Sequence, residues 1–293
     1  MNYPVDDTIK GLLNQYLAEI ETSVGVDFIS FYGPIVDGLA QHIKNAVEEL
    51  FEENPPCKER RLFFMLTTSG GLVTEVERIV NILRHFYSEV NFVVPDYAYS
   101  AGTILCMSGD NIYMNYFSVL GPIDPQVPNK DNVLIPAQGY LDKVNEFIKK
   151  SSEQPLSEAE IFMLSKIDLA DLRRYEQARE LTVDLLKKWL VKYKFKNWDV
   201  HNSNPEKLGN KVSEEEKIIR AEEIATKLSN NNLWKAHGRG IDISVLEEDL
   251  RLRIEDYTEP STLHDCFEKY FALNIDYIRK NQAPFFLHTR RYI

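Results

Sequence analysis

Apolar residues recur along this chain with two periods, and the period changes from segment to segment. In residues 7 to 22, Ile9, Leu12, Leu13, Tyr16, Leu17 and Ile20 fall on one face at helical spacing. That stretch is predicted to be an amphipathic helix that docks on a core or on another subunit. Asp27 to Tyr32 is a short apolar run closed by Gly33-Pro34, the signature of a strand. Ile35 to Phe51 returns to helical spacing through Ile35, Leu39, Ile43, Val47, Leu50 and Phe51. A polar, Pro-Pro-containing stretch from Glu52 to Arg61 reads as a loop. Leu62 to Leu66 is a second strand, Thr67-Thr68-Ser69-Gly70-Gly71 a turn, and Leu72 to Tyr87 a helix. Val90 to Val94 is a third strand. A Pro-Asp break follows, then Tyr97-Ala98-Tyr99-Ser100-Ala101-Gly102-Thr103 and a short apolar run, Ile104 to Met107. The predicted helix there starts at Ser100 or just after it. Asn111 to Met114 and Ser118 to Ile123 are predicted as short strands.

Strand, turn and helix thus recur three times before residue 110. That alternation predicts an α/β core with mostly parallel strands and right-handed crossovers. In such cores ligands gather at the carboxyl ends of the strands, where Gly70-Gly71 and Ser100 both lie. After residue 124 the pattern changes. Pro125 to Pro136 is a loop, and Gln138 to Lys150 is a helix with Tyr140, Leu141, Val144, Phe147 and Ile148 apolar. Residues 157 to 195 and 213 to 229 read as charged helices separated by an exposed polar loop, Lys196 to Asn210. Trp234 to Ile243 is turn-rich, Ser244 to Leu252 is an acidic helix, and residues 261 to 280 form a last amphipathic helix. The aromatic end, PFFLHTRRYI, is a strand or a docking tail. The expected organisation is an N-terminal helix (1–24), a core (25–150), a helical insertion (151–230) and a region (231–293) that ends the core and carries a helical tail.

Composition narrows the functional classes. The chain has 293 residues, 44% of them hydrophobic, enough for one large domain or one domain with an appendage. A net charge of −11 argues against nucleic acid or an anionic membrane as main partner. Three dispersed cysteines, Cys57, Cys106 and Cys266, point to a reducing compartment and no disulfide framework. No Cys/His spacing suggests a zinc site. MNYPVDDTIKGLL carries acids where a signal peptide has bases, and no apolar run approaches the roughly 18 residues of a membrane span. A cytoplasmic protein is expected.

The candidate chemistry centres on Ser100. A serine on a turn between a buried strand and a helix sits where free N–H groups gather, and small neighbours leave room for a substrate carbonyl. Serine is also a favoured helix cap, and Ser-Ala-Gly permits close helix packing without any chemistry. Taken together, LTTSGGLVTEVERIV, VNFVVPDYAYSAGTILCMSGDNIYM and LGPIDPQ resemble the serine dehydrogenase proteinase family. This is a branch of the Clp-protease/crotonase-fold serine peptidases related to signal peptide peptidase A. WKAHGRGIDISVLEEDL resembles that family's later turn-helix segment.

The resemblance implies a spiral of strand-turn-helix units, assembled as a homo-oligomer; with the additions read from the pattern, the expected α/β fold is that Clp/crotonase-like spiral with a helical insertion and a helical C-terminal tail. It implies a polypeptide substrate and no metal or organic cofactor. It also implies Ser100 as nucleophile and an oxyanion hole from Gly71 and Ala101, with Gly70 adjacent. Two departures stand out. Ser69 replaces a proline common before Gly-Gly. The region after Ser100 in which Clp-type peptidases carry a catalytic histidine reads Leu120-Gly121-Pro122-Ile123-Asp124-Pro125-Gln126, with no histidine.

Ser100 needs a base. Lys143, three residues after Tyr140 and four before Phe147, borders a helix's buried face and is the favoured candidate, as in Ser-Lys enzymes. A solvated lysine covering apolar surface is the alternative. His237, in the glycine-rich AHGRG, is a second candidate base. Asp124 would orient a base or a water, or fix its own Pro-flanked turn. Tyr97 and Tyr99 flank the turn and would line a groove or simply pack. His42, His85, His201, His264 and His288 carry no motif. Two other functions stay open on sequence: an acyl-CoA-binding crotonase-like enzyme, and a non-catalytic oligomeric scaffold of the same fold.

Overall fold

The computed structural model describes residues 4–52, 60–128, 134–201 and 206–292. Cys57 and residues 129–133 of the proline-rich stretch lie outside the described residues. The chain runs α1 (Pro4–Val24), β1 (Asp27–Tyr32), α2 (Leu39–Glu52), β2 (Arg61–Thr67), α3 (Val73–Phe86), β3 (Glu89–Val94), β4 (Tyr97–Ala98), α4 (Ala101–Cys106), β5 (Asn111–Met114), β6 (Val119–Leu120). It continues through a hairpin, β7 (Gln126–Pro128) and β8 (Leu134–Pro136), to α5 (Ala137–Glu153), α6 (Glu158–Leu164) and α7 (Leu169–Trp189), which ends in a π-helical turn, Leu190–Lys194. The remainder is α8 (Glu214–Ser229), α9 (Asn231–Trp234), α10 (Ile243–Glu248), β9 (Glu255–Asp256), α11 (Thr262–Asn281) and β10 (Phe286–His288).

One six-stranded sheet, ordered β10-β1-β2-β3-β5-β9, is parallel except for β10, which pairs antiparallel with β1. Its inner strands β1, β2 and β3 are buried along nearly their whole length because both faces are covered. Alternation along the pleat divides them. Ile29, Phe31, Leu62, Phe64, Leu66, Val90, Phe92 and Val94 join the larger core with α2, α3 and α4. Phe28, Phe63, Met65 and Val93 join the smaller one under α1 and α11. Leu185, Leu186, Trp189, Ala221, Ile224 and Leu228 also belong to the larger core, so α8 and the end of α7 pack on the strand-turn-helix units.

The helix read from Ile35 begins at Leu39, because Ile35 is used elsewhere. Its N–H donates to Gly70 C=O at 2.8 Å and its C=O accepts from Leu72 N–H at 2.8 Å. The freed start of α2 is closed by Glu75 of α3, whose buried carboxylate accepts the Ala40 N–H at 2.9 Å. A second layer of short pairings crosses the carboxyl ends of the main strands. β4 lies parallel to β6, Thr68 bridges Ala98, and Leu120 bridges Ile241. The sequence-predicted strand 118–123 is shortened to two residues, and β4 and β9 are elements that periodicity did not reveal.

Candidate functional site

The serine turn is formed by a strand that stops early. β3 ends at Val94, Pro95-Asp96 turns the chain, and β4 carries it two residues along the second layer before α4 begins. At the corner, Ser100 has φ 52° and ψ −115°, a left-handed conformation that non-glycine residues adopt at a cost of about 1–3 kcal/mol. Its side chain makes no capping hydrogen bond to α4, so the hydroxyl is not spent as a helix cap. Thr103 secures the corner instead: its Oγ1 lies 2.8 Å from Ala98 C=O and accepts the Gly121 N–H at 2.9 Å. Every residue of α4 is buried.

The Gly-Gly turn lies directly against this corner. Thr68 N–H donates to Tyr97 C=O at 3.0 Å, and Tyr99 N–H donates to Thr68 C=O at 2.9 Å. Gly70 has φ +97°, and a Cβ there would sit 2.7 Å from Tyr99 O and 2.9 Å from Ser100 Cβ. Gly71 has φ +146°, and a Cβ there would collide with the Ile35 carbonyl at 2.0 Å. Both glycines are therefore required by close approach. Because Gly70 C=O and Leu72 N–H are the groups bonded to Ile35, the parallel bridge turns the Gly71 N–H away from it. In α4, Gly102 N–H donates to Tyr99 C=O at 2.8 Å and Ile104 N–H to Ser100 C=O at 3.2 Å. Ala101 N–H, the first of the helix, bonds no backbone acceptor among the described residues. Ser100, Gly70, Gly71 and Ala101 thus come together.

The two candidate bases sit in different surroundings. Lys143, on α5, is half-exposed at 51% and pairs with Glu146 at 2.9 Å; its ammonium lies 5.0 Å from the Phe147 ring centroid. The glutamate one turn on draws it outward, so it is not the partly desolvated amine expected at the helix border. His237 and Asp124 meet: His237 Nδ1 lies 2.8 Å from Asp124 Oδ1. Asp124 is fully buried and His237 is 25% exposed. The other carboxylate oxygen, Oδ2, accepts from Gln126 Nε2 at 3.1 Å.

Tyr97 and Tyr99 stack beside the serine with ring centroids 5.2 Å apart. Burial, with a hydrogen bond to Tyr32, pushes the Tyr97 phenol up to about 12. Burial, aided by Asp96, also raises Tyr99. Asp96 is itself raised by burial. Of the histidines without a motif, His288 is buried under α1 and α11. Its Nδ1 lies 2.7 Å from the Tyr270 hydroxyl and its Nε2 2.9 Å from Asn14 Oδ1. No group of three or more potential metal ligands occurs among the described residues.

Strand-turn-helix units with a serine corner packed on a Gly-Gly turn define a ClpP-like architecture. The family model of ClpP-like SDH-type serine proteinases matches residues 46–203, more than half of the chain, and the chain belongs to that family. It is similar to uncharacterized protein MJ0137 of Methanocaldococcus jannaschii, 29% identical over 131 residues that cover 43% of this chain and 45% of that protein. It is similar also to uncharacterized protein MJ1495 of the same organism, 27% identical over 207 residues that cover 70% of this chain and 56% of that protein. The chain spans about half the length of these curated relatives. Two solved structures of a 1510-N membrane-bound stomatin-specific protease, one with a substrate peptide, match at 20% and 22% identity. Each has a TM-score of 0.32 and covers 42% of this chain, and 58% and 55% of its own. No helix among the described residues is long and apolar enough to cross a membrane.

Proposed function

We infer that this chain is a serine peptidase in which Ser100 attacks a peptide carbonyl. Gly71 and Ala101 N–H groups receive the oxyanion, with Gly70 leaving the room for it. The observation that carries this reading is the backbone of Ser100. A non-glycine residue held at φ 52° against a Gly-Gly turn is strain that needs a purpose, and its hydroxyl caps nothing. Two aimed N–H groups contribute about 3 kcal/mol each to a developing oxyanion when the site is dry. Hydrolysis passes through an acyl-enzyme and uses neither metal nor organic cofactor. Ser100 needs a base, and Lys143 and His237 are the candidates this chain offers.

The reading extends to several copies acting together on polypeptides in the cytoplasm. In its support, α6 buries none of its residues and exposes Ile161, Phe162 and Met163, a surface suited to a second copy. Cys106 and Cys266 are free thiols, as in a reducing compartment. The test of the peptidase reading is covalent labelling with a fluorophosphonate. Wild type reacts and Ser100→Ala does not; equal labelling of the two would remove the serine from the mechanism.

A further inference from the structure

We propose that Asp96 and the rings of Tyr97, Tyr99 and Tyr32 form a subsite for a basic side chain, lysine or arginine, of the polypeptide substrate. The proposal rests on the reading of Ser100 as nucleophile and adds a substrate class to that site.

The backbone leading into the serine corner is tied down residue by residue. Val94 C=O accepts the Ser118 hydroxyl. Asp96 C=O accepts the Val119 N–H at 2.8 Å, and Tyr97 C=O accepts the Thr68 N–H at 3.0 Å. Tyr99 N–H donates to Thr68 C=O at 2.9 Å. Side chains two residues apart on a strand share a face. Ala98 therefore points inward and is fully buried, while Tyr97 and Tyr99 stand together on the other side. Their rings are 5.2 Å apart with 20° between the planes. Tyr32, at the end of β1, joins them through a hydrogen bond between its hydroxyl and that of Tyr97. All three tyrosines are partly open to solvent. The Tyr97 and Tyr99 phenols keep their protons at neutral pH, so they offer electron-rich faces and no charge.

Asp96 supplies the charge. It is partly buried, and its carboxylate is near enough to push up both phenols. Among the described residues no hydrogen bond or ion pair matches that carboxylate. Arg279, exposed in the last turn of α11, acts on it from beyond ion-pair distance. A carboxylate stripped of part of its water and left unmatched is costly. A cation arriving over the tyrosine faces would match it and gain from both attractions. Lysine and arginine also carry long apolar stems that can cover a stacked pair of rings. An apolar side chain would cover the rings and leave Asp96 dry and unpaired, and an acidic one would be repelled. Four residues of chain separate Asp96 from Ser100 and span at most roughly 14 Å. That is the reach of a few residues of an extended substrate, so one peptide can meet both.

The experiment uses tripeptidyl diphenyl phosphonates, which label a nucleophilic serine, with lysine or norleucine at each position in turn. Norleucine keeps the stem and lacks the charge. Each rate is divided by that of a plain fluorophosphonate on the same protein. On wild type, lysine is expected to label about tenfold faster than norleucine at one position. Asp96→Asn should bring that ratio to within about twofold of unity, and Tyr97→Leu should lower it by about threefold. Should Asp96→Asn not fold, Asp96→Ser is measured in the same way. A ratio near unity at every position in wild type overturns the subsite, and so does a ratio that Asp96→Asn leaves intact. If the ratio is near unity in wild type and rises in Arg279→Met, the carboxylate serves an internal pair and the subsite is again overturned. In all these cases Ser100 stands, provided plain fluorophosphonate labels wild type and not Ser100→Ala. Equal labelling of those two removes the nucleophile, and the subsite with it.

Discussion

At the residue scale, Ser100 and Gly70 form one unit. The glycine has no room for a methyl group, because Tyr99 O and Ser100 Cβ would lie 2.7 and 2.9 Å from it. Gly70→Ala is therefore expected to push the serine corner out of place. Fluorophosphonate labelling should fall by about tenfold or more, and melting should fall as well, since φ +97° penalises alanine too. The complementary change relieves strain. Ser100→Gly removes the residue that resists φ 52°, so an inactive protein stabilised by about 1 kcal/mol is expected. Calorimetry should show a melting temperature a few degrees higher.

Much of this unit was legible in sequence, because Gly-Gly and Ser-Ala-Gly each follow an apolar run and fall at the ends of neighbouring strands. The left-handed φ of Ser100 was not, since serine does not announce it. Nor was the meeting of Asp124 with His237, which are 113 positions apart. Neither carries a motif alone, and the pairing of Leu120 with Ile241 helps bring them together.

At the element scale, the long apolar strands and amphipathic helices were readable, because each repeats its period over enough residues to fix a face. β4 and β9 are two residues each, too short to show alternation, and exist because neighbouring backbone offers partners; β6 keeps two residues of the strand read over 118–123. The π turn at Leu190–Lys194 is equally silent in sequence. Its Tyr193 ring lies 3.8 Å from the Arg84 guanidinium. Arg84 reaches from α3 to Asp110 at 2.6 Å and also meets Ser108 C=O, and Asp110 accepts the Val90 N–H at 2.9 Å. Both side chains are nearly buried, so Arg84→Met is expected to cost about 3 kcal/mol, because it leaves the carboxylate only the Val90 N–H and the Lys196 ammonium 3.9 Å away. Urea denaturation would measure that loss.

β10 carries a second dependence. Burial lowers His288 to about 4, against about 6.5 for a free histidine. Between those values the unfolded chain takes up a proton that the folded chain refuses. Stability should therefore decline as pH falls through about 6.5 toward 4, by on the order of 3 kcal/mol. Urea midpoints measured across that range should lose most of this slope in His288→Phe; an unchanged slope would assign it to other groups.

At the scale of the whole molecule, the sequence marked the parallel α/β core and its helical additions. It did not mark how they share packing. Trp189, Leu228 and Trp234, all beyond residue 150, lie in the same core as Ile29 and Phe64, because α7 and α8 fold back onto the strand-turn-helix units. What stays unburied is α6. If its apolar face meets a second copy, Phe162→Asp should keep the wild-type helix content by circular dichroism and lower the mass seen by sedimentation equilibrium; the same mass for both proteins would place any contact elsewhere.

The antiparallel pairing of β10 with β1 has a consequence for how the molecule comes into being. Residues 30 to 32 lie at the growing edge of the sheet while some 250 further residues are still to be synthesised. Until then that edge of β1 has no partner. α1 also lacks α11, its main neighbour across Phe28 and Phe267. The nascent chain therefore passes through a stage with one sheet edge open. That stage is when the chain is most exposed to edge-to-edge association.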